Sequence, residues 1–163
     1  YFDLDITASN GGPWSDDFSV PVACGCGPPP QVSAWPSPNP TLMDAGQYQG
    51  ITYHFSDSAG TSLHITSRTA VFTTLTGTPL SDQIGPYGND INVPANGSTS
   101  WLDNVYLPPY VVTAAQLEAV NSVLLTTTFS GVDPCDRPIP VVATLEIKLA
   151  TTKVCLPLAL KNH

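Results

Sequence analysis

Alternation of apolar and polar residues is the feature that most constrains the fold of this chain. In the clearest run, polar or small residues separate five apolar ones, Val141, Ala143, Leu145, Ile147 and Leu149. A side-chain period of two is typical of a strand with one buried face. Similar patterns predict strands at residues 69–76, 98–107, 124–130 and 154–160. The chain is therefore expected to be an all-β protein.

A β-hairpin is predicted over residues 51–65, because two alternating runs flank a short loop that contains Gly60. In the register of a three-residue loop, His54 lies opposite His64. Two histidines across a strand pair could hold a metal, but a metal site needs further ligands and the spacing supplies none. We therefore interpret them as a solvent-facing structural pair and predict no metal site.

One helix is predicted between the strands. Thr113-Ala-Ala-Gln116 fits a capping box, and Leu117, Val120 and Leu124 follow at helical spacing. Six or seven strands with frequent turn signals favour two packed antiparallel sheets. The predicted fold is an immunoglobulin-like antiparallel β-sandwich with one short crossover helix and an extended N-terminal arm.

The arm comprises residues 1–46, and the sandwich domain comprises residues 47–163. The arm opens with an alternating strand whose apolar residues are Phe2, Leu4, Ile6 and Ala8. It continues through a segment too rich in proline for a central strand, which is expected to be extended. The opening strand either belongs to the sheet of its own domain or completes the sheet of a neighbouring subunit.

Charge excludes several partners. Only 11% of the residues are charged, against about 25% in a typical soluble domain. Acidic residues outnumber basic ones 13 to 5, so the chain would repel a phosphate backbone or an anionic membrane surface. No apolar run approaches the length of a membrane helix. Nucleic acid binding and membrane insertion are therefore not expected.

Four cysteines, Cys24, Cys26, Cys135 and Cys155, form an even set. Their spacing does not match a zinc knuckle, so disulfides are favoured over a metal site. A ring within Cys24-Gly-Cys26 would be strained, so these two are each expected to pair with Cys135 or Cys155. Disulfides, and a start at Tyr1 without a basic, apolar leader, predict a mature chain that is secreted, extracellular or on the cell surface.

Carboxylate pairs could bind calcium or act as acid and base; they are Asp3/Asp5, Asp16/Asp17 and Asp133/Asp136. The consensus of an oxygen-rich calcium loop is missing, so turn formation and solubility explain most of them. No nucleophile elbow, P-loop or dinucleotide fingerprint is present. The sequence therefore predicts no enzyme, catalytic residue or cofactor.

Covalent glycans are candidate partners. Asn96-Gly-Ser98 is an acceptor sequon in a turn bounded by Pro and Gly. Ser33, Ser37 and Thr41 lie among prolines, a setting compatible with O-linked sugar. The alternative at each position is an ordinary turn or linker.

Three segments resemble the immunoglobulin-like modules of bacterial surface proteins: Gly50-Ile-Thr-Tyr-His-Phe, Val93-Pro-Ala-Asn-Gly-Ser-Thr-Ser-Trp101 and Ala143-Thr-Leu-Glu-Ile-Lys-Leu149. The tail Cys155-Leu-Pro-Leu-Ala-Leu-Lys-Asn162 is similar to tails of exported proteins of filamentous bacteria. An alternating N-terminal strand ahead of such a sandwich also resembles pilus subunits assembled by donor-strand exchange. The resemblance implies assembly through that strand.

These features predict a structural subunit of a secreted fibre or surface assembly, joined head-to-tail to other copies of itself by the N-terminal strand. The rival prediction is a monomeric binding module, for example for carbohydrate. Its candidate stacking platforms are Trp14, Trp35, Trp101 and Tyr110. A hydrolase or metalloenzyme is the third and least favoured class.

Overall fold

The computed structural model describes residues 27–37 and 42–150. The elements are β1 (Val32–Ser37), β2 (Tyr48–Asp57), β3 (Leu63–Thr73), β4 (Ile84–Val93), β5 (Ser98–Tyr106), α1 (Pro109–Leu117), β6 (Ser122–Val132) and β7 (Pro138–Lys148). They form a three-stranded sheet in the order β1-β2-β5 and a four-stranded sheet in the order β4-β3-β6-β7. All neighbouring strands are antiparallel. The prediction of an all-β sandwich is confirmed.

The core lies between the two sheets. In β2 the inward residues Ile51, Tyr53 and Phe55 are buried, as their alternation predicts. The Phe129 ring of β6 meets the rings of Tyr53 and Phe55 edge-on, with centroids 5.1 Å and 4.9 Å apart. Such edge contacts place the positive rim of one ring against the negative face of another. The two sheets are thus fastened by aromatic packing near the middle of the sandwich.

The predicted hairpin is wrong, because β2 and β3 lie in different sheets. His54 lies opposite Ser100, and His64 lies opposite Asn92, so the two histidines do not face each other. The chain crosses between the sheets directly after Asp57, whose buried carboxylate accepts hydrogen bonds from four backbone N–H groups. The donors are Gln31, Ala59, Gly60 and Asn96. This carboxylate holds the connection from β2 to β3, which passes from one sheet to the other and which we call the arch. The local spacing of residues does not distinguish such an arch from a hairpin.

The helix begins earlier than predicted, at Pro109, and ends at Leu117. Proline suits the first turn because its missing N–H has no partner there. Thr113 is therefore inside the helix and donates its hydroxyl to the carbonyl of Pro109. Positive φ at Ala119 follows the end of the helix, and β6 then starts at Ser122. As predicted, α1 connects one sheet to the other, and no helix in the described residues is long and apolar enough to span a membrane.

Two strands were not predicted, and both lie at sheet edges, where proline is tolerated. β1 falls inside the proline-rich arm and pairs with β2. β4 begins with Ile84-Gly-Pro-Tyr-Gly-Asn, which has the composition of a turn, and pairs with β3 through two register shifts. The division of the chain into an arm and a sandwich domain at residue 46 stays a prediction. The predicted strand at residues 154–160 lies outside the described residues and also stays a prediction.

Candidate functional site

A groove opens along one side of the sandwich, because the smaller sheet is one strand narrower than the larger sheet. Among the described residues, β5 pairs with a strand on one side only, and so does β4 in the opposite sheet. Between these two edges lies a cavity of about 550 Å³, which we call the β5 groove. Its apolar walls are formed by Ala70, Phe72, Ile84, Val105 and Leu125. An edge strand beside an apolar slot can accept a further strand.

An ion pair joins the two sheets at this groove. The Arg68 guanidinium of β3 donates to both carboxylate oxygens of Asp103 on β5, with 2.8 Å between Nε and Oδ2. The same guanidinium lies over the rings of Tyr87 and Trp101, at 4.8 Å and 5.0 Å from their centroids. Aromatic faces attract a cation, so both rings reinforce the position of the pair. Arg68 thereby bridges the edges of the two sheets, β4-β3 on one side and β5 on the other, within the described part of the chain.

Tyrosines surround the opening of the β5 groove. Tyr48 and Tyr106 lie opposite each other on β2 and β5, with ring centroids 4.9 Å apart. Tyr110 of α1 also lines the groove and is exposed. Trp101, predicted as a core residue or a sugar platform, packs partly buried against the core and stacks on Tyr53. Trp101 and Tyr110 thus take different roles in the structure, and Trp14 of the rival prediction lies outside the described residues.

The outer face of the three-stranded sheet is a second surface of note, and we call it the serine face. Its outward side chains follow the pleat of the three strands: Ser33, Trp35, Ser37, Tyr48, Thr52, His54, Ser56, Ser98, Ser100, Leu102, Asn104 and Tyr106. None of them is Asp, Glu, Lys or Arg. Trp35 is 46% exposed and stacks on the His54 ring, with centroids 5.7 Å apart. A depression of about 440 Å³ lies beside this indole.

Most of the predicted disulfide and connecting residues lie outside the described residues; they are Cys24, Cys26, Cys155, Phe2, Leu4, Ile6 and Ala8. Cys135 lies in the turn between β6 and β7, and its N–H donates to the Asp133 carboxylate at 2.9 Å. The pairing of the cysteines stays a prediction.

The carboxylates at positions 133 and 136 have separate environments. Asp133 is buried and accepts hydrogen bonds from the backbone and side chain of Arg137. Burial raises the pKa of Asp133, but the hydrogen bonds from Arg137 and Cys135 together lower that pKa below its ordinary value. Asp136 is at positive φ in the same turn. Asp133 is therefore occupied in holding this turn.

The described residues contain no cluster of three or more His, Cys, Asp or Glu side chains that could hold a metal ion. The sequon residue Asn96 is exposed, at positive φ, in the turn between β4 and β5. Its N–H donates to Asp57, so the backbone of the sequon is fixed while its side chain lies near Gly60. Glycosylation at Asn96 stays a prediction.

No protein-family model matches the chain, and no curated protein matches its sequence. The CARDB domain of the PF1109 protein from Pyrococcus furiosus is 10% identical, with a TM-score of 0.41 over 74% of this chain and 89% of that one. The sporulation control protein Spo0M from Bacillus subtilis is 9% identical, with a TM-score of 0.38 over 74% and 49% of the two chains. Red sea bream transglutaminase is 13% identical, with a TM-score of 0.42 over 75% of this chain and 16% of its own. None of these likenesses supplies a function.

Proposed function

We propose that the chain is a structural, non-enzymatic subunit of a secreted assembly, with an immunoglobulin-like sandwich stapled by disulfides. In this proposal the N-terminal strand of one copy binds in the β5 groove of the next copy. The observation that carries it is the unfilled side of the three-stranded sheet, where β5 has one strand partner among the described residues. An apolar cavity lies directly inside that edge.

The chemistry of the N-terminal segment supports it as the occupant. If this segment is extended, Phe2, Leu4, Ile6 and Ala8 would project to one side of it, and Asp3 and Asp5 would project to the other. Bound beside β5, the apolar side chains would lie against Ile84 and the other groove walls, while the carboxylates face water. The backbone of the added strand would satisfy the free N–H and C=O groups of the β5 edge.

The lengths of the two partners also agree. Residues 1–8 would extend about 27 Å as a strand, and β5 itself has nine residues. Because donor and acceptor are different surfaces of one molecule, each added copy presents a new groove. Head-to-tail contacts of this kind build an open fibre unless the ring closes.

The test is negative-stain electron microscopy of the oxidised full chain and of the double variant Leu4→Asp/Ile6→Asp. We expect fibres from the unchanged chain and discrete, folded particles from the variant, because two carboxylates cannot enter the apolar groove without a large desolvation cost. The matched control is Asp3→Asn/Asp5→Asn, which alters the opposite face of the same strand and should leave the fibres intact. Fibres from the Leu4→Asp/Ile6→Asp variant, or no fibres from the unchanged chain, would overturn the proposal.

A further inference from the structure

The serine face has an unusual composition for the surface of an acidic protein. The chain carries a formal net charge of −8, yet none of the outward side chains of β1, β2 and β5 is Asp, Glu, Lys or Arg. The outer side of the four-stranded sheet differs, since it carries the His64–Asp90 pair and the exposed residues Glu146 and Lys148. The two outer faces of the sandwich are therefore chemically distinct.

An exposed indole, that of Trp35, lies at one side of the serine face. Trp35, His54 and Ser100 occupy one row across the three strands, and Ser33, Ser56 and Ser98 occupy the next row. The imidazole stacks on the indole with an interplanar angle of 19°, which holds the ring in place while 46% of Trp35 stays exposed. Trp35 is thus an exposed aromatic platform beside a row of hydroxyls.

The hydroxyls beside this platform are available to a ligand. Ser56, Ser98 and Ser100 line the depression next to Trp35. No hydrogen bond from their hydroxyls is made to another residue in the described part of the chain. Each hydroxyl can donate one hydrogen bond and accept two. A rigid aromatic ring with several adjustable hydrogen-bonding groups is a combination that orients a polar ligand.

We propose that the serine face binds a neutral polysaccharide chain, with Trp35 as the stacking residue. Pyranose rings present C–H groups on one face, which pack against the negative face of an indole. Their hydroxyls match the donors and acceptors of Ser56, Ser98 and Ser100. The absence of ionic side chains leaves nothing on this face to attract a charged polymer, and the net charge of the chain would repel a polyanion.

Further aromatic side chains extend the same surface. Tyr48 and Tyr106 lie on the serine face six residues along β2 from His54, or about 20 Å at the rise of a strand. A linear glycan of several sugars can therefore contact the indole and the tyrosine pair together. The depression beside Trp35 shares no lining residue with the β5 groove, so sugar binding there does not depend on the strand-linked assembly.

The test is isothermal titration calorimetry on the oxidised full chain, produced without glycans. The ligands are cellohexaose, chitohexaose, maltohexaose and the acidic hexamer of polygalacturonate. We expect at least one neutral hexasaccharide to bind with a change in tryptophan fluorescence, and the acidic hexamer not to bind. Trp35→Ala should weaken that binding by about tenfold, and Trp35→Tyr should restore part of it. The control is Val142→Ala, which trims an exposed apolar side chain on the outer face of the other sheet and should leave the affinity unchanged.

A thermal melt of each variant establishes whether it folds. If Trp35→Ala does not fold, Ser98→Glu tests the same site, because it places a charge in the depression and keeps the indole. The proposal would be overturned if none of the three neutral hexasaccharides bound. It would also be overturned if the Trp35 and Ser98 variants bound as tightly as the unchanged chain, or if Val142→Ala lost as much affinity as Trp35→Ala. Self-association that only Trp35→Ala abolishes, without sugar binding, would likewise overturn it and assign the face to a contact between copies.

Discussion

Arg68 and Asp103 form a two-point ion pair that joins the sheets at the β5 groove, between the rings of Tyr87 and Trp101. The side chains of the pair are only 14% and 9% exposed. Removing one partner of a buried pair leaves the other charge without compensation. This pair therefore holds together the side of the sandwich where β5 has no second strand partner among the described residues.

We predict that Asp103→Asn lowers the free energy of unfolding by about 3 kcal/mol. The double variant Arg68→Met/Asp103→Leu should lose less than the sum of its two single variants, because it leaves no uncompensated charge. Urea unfolding of the unchanged chain, Arg68→Met, Asp103→Leu and the double variant measures the coupling. Strictly additive effects would show that the pair does not stabilise the sheet contact.

The second prediction concerns how the stability of the fold depends on pH through Asp57. Burial is the largest single influence and raises the pKa of Asp57, but its four backbone hydrogen bonds together lower that pKa below the ordinary value of 3.8. A carboxyl whose pKa is lower in the folded state stabilises the fold above its ordinary pKa. That stability is complete above about pH 5 and is lost as the pH falls through the lowered value.

Asp57→Asn should therefore reduce stability at pH 7 and make the stability depend less steeply on pH in the acid range. Asp133 has a pKa shifted in the same direction, so some acid dependence remains in the variant. The matched control is Asp82→Asn, an exposed carboxyl, which should change stability by less than about 0.5 kcal/mol. An equally steep acid dependence in Asp57→Asn would refute this account of the arch.

How far the sequence predicts the fold is shown by the contrast between two strand pairs. β6 and β7 were predicted because each alternates over many residues without an interior proline at the buried positions. The hairpin of β2 with β3 failed because alternation shows which side chains are buried and not which sheet the strand joins. The deciding contact, between Asp57 and the N–H of Asn96, joins residues 39 apart in sequence.

The candidate sites were predictable only in part. The alternating pattern that predicts an N-terminal strand is visible in the sequence, whereas the groove proposed to receive it depends on the order of the strands in two sheets. Arg68 and Asp103 are 35 residues apart and on different sheets, so no local spacing brings them together. Trp35 could be named from the sequence as a candidate platform. The row of serines beside it forms only when β1 pairs with β2, and β1 was not predicted because its segment is rich in proline.

A third prediction concerns the core. The Tyr53 hydroxyl lies 2.9 Å from the Thr127 hydroxyl in a buried contact between the sheets. Tyr53→Phe should lower the free energy of unfolding by about 1–2 kcal/mol, because it leaves the Thr127 hydroxyl without its partner. Adding Thr127→Val should recover part of that loss, since both polar groups are then absent. No recovery in the double variant would contradict the role given to this hydrogen bond.

The same residue predicts the alkaline behaviour. Burial raises the pKa of Tyr53 from 10.0 to about 12. Because the folded-state pKa is the higher one, the stability linked to this group is present below pH 10 and is lost as the pH rises from 10 to 12. Urea unfolding across that range should show a smaller decline for Tyr53→Phe than for the unchanged chain. An identical decline would assign the alkaline loss to other groups.

The central claim is that one copy donates the N-terminal strand and another accepts it in the β5 groove. Two variants test it directly. Leu4→Asp/Ile6→Asp has an intact groove but an N-terminal segment that should not bind. Ile84→Asp has an intact N-terminal segment but an altered groove wall. Circular dichroism first establishes that both are folded. Each variant alone should sediment as a monomer.

The measurement is sedimentation velocity of the two variants mixed in equal amounts. The account predicts a discrete heterodimer, because the single intact strand in the mixture binds the single intact groove and cannot be extended. A mixture that stays monomeric would contradict the account, since it would mean that each strand lies in its own sandwich or binds no groove at all.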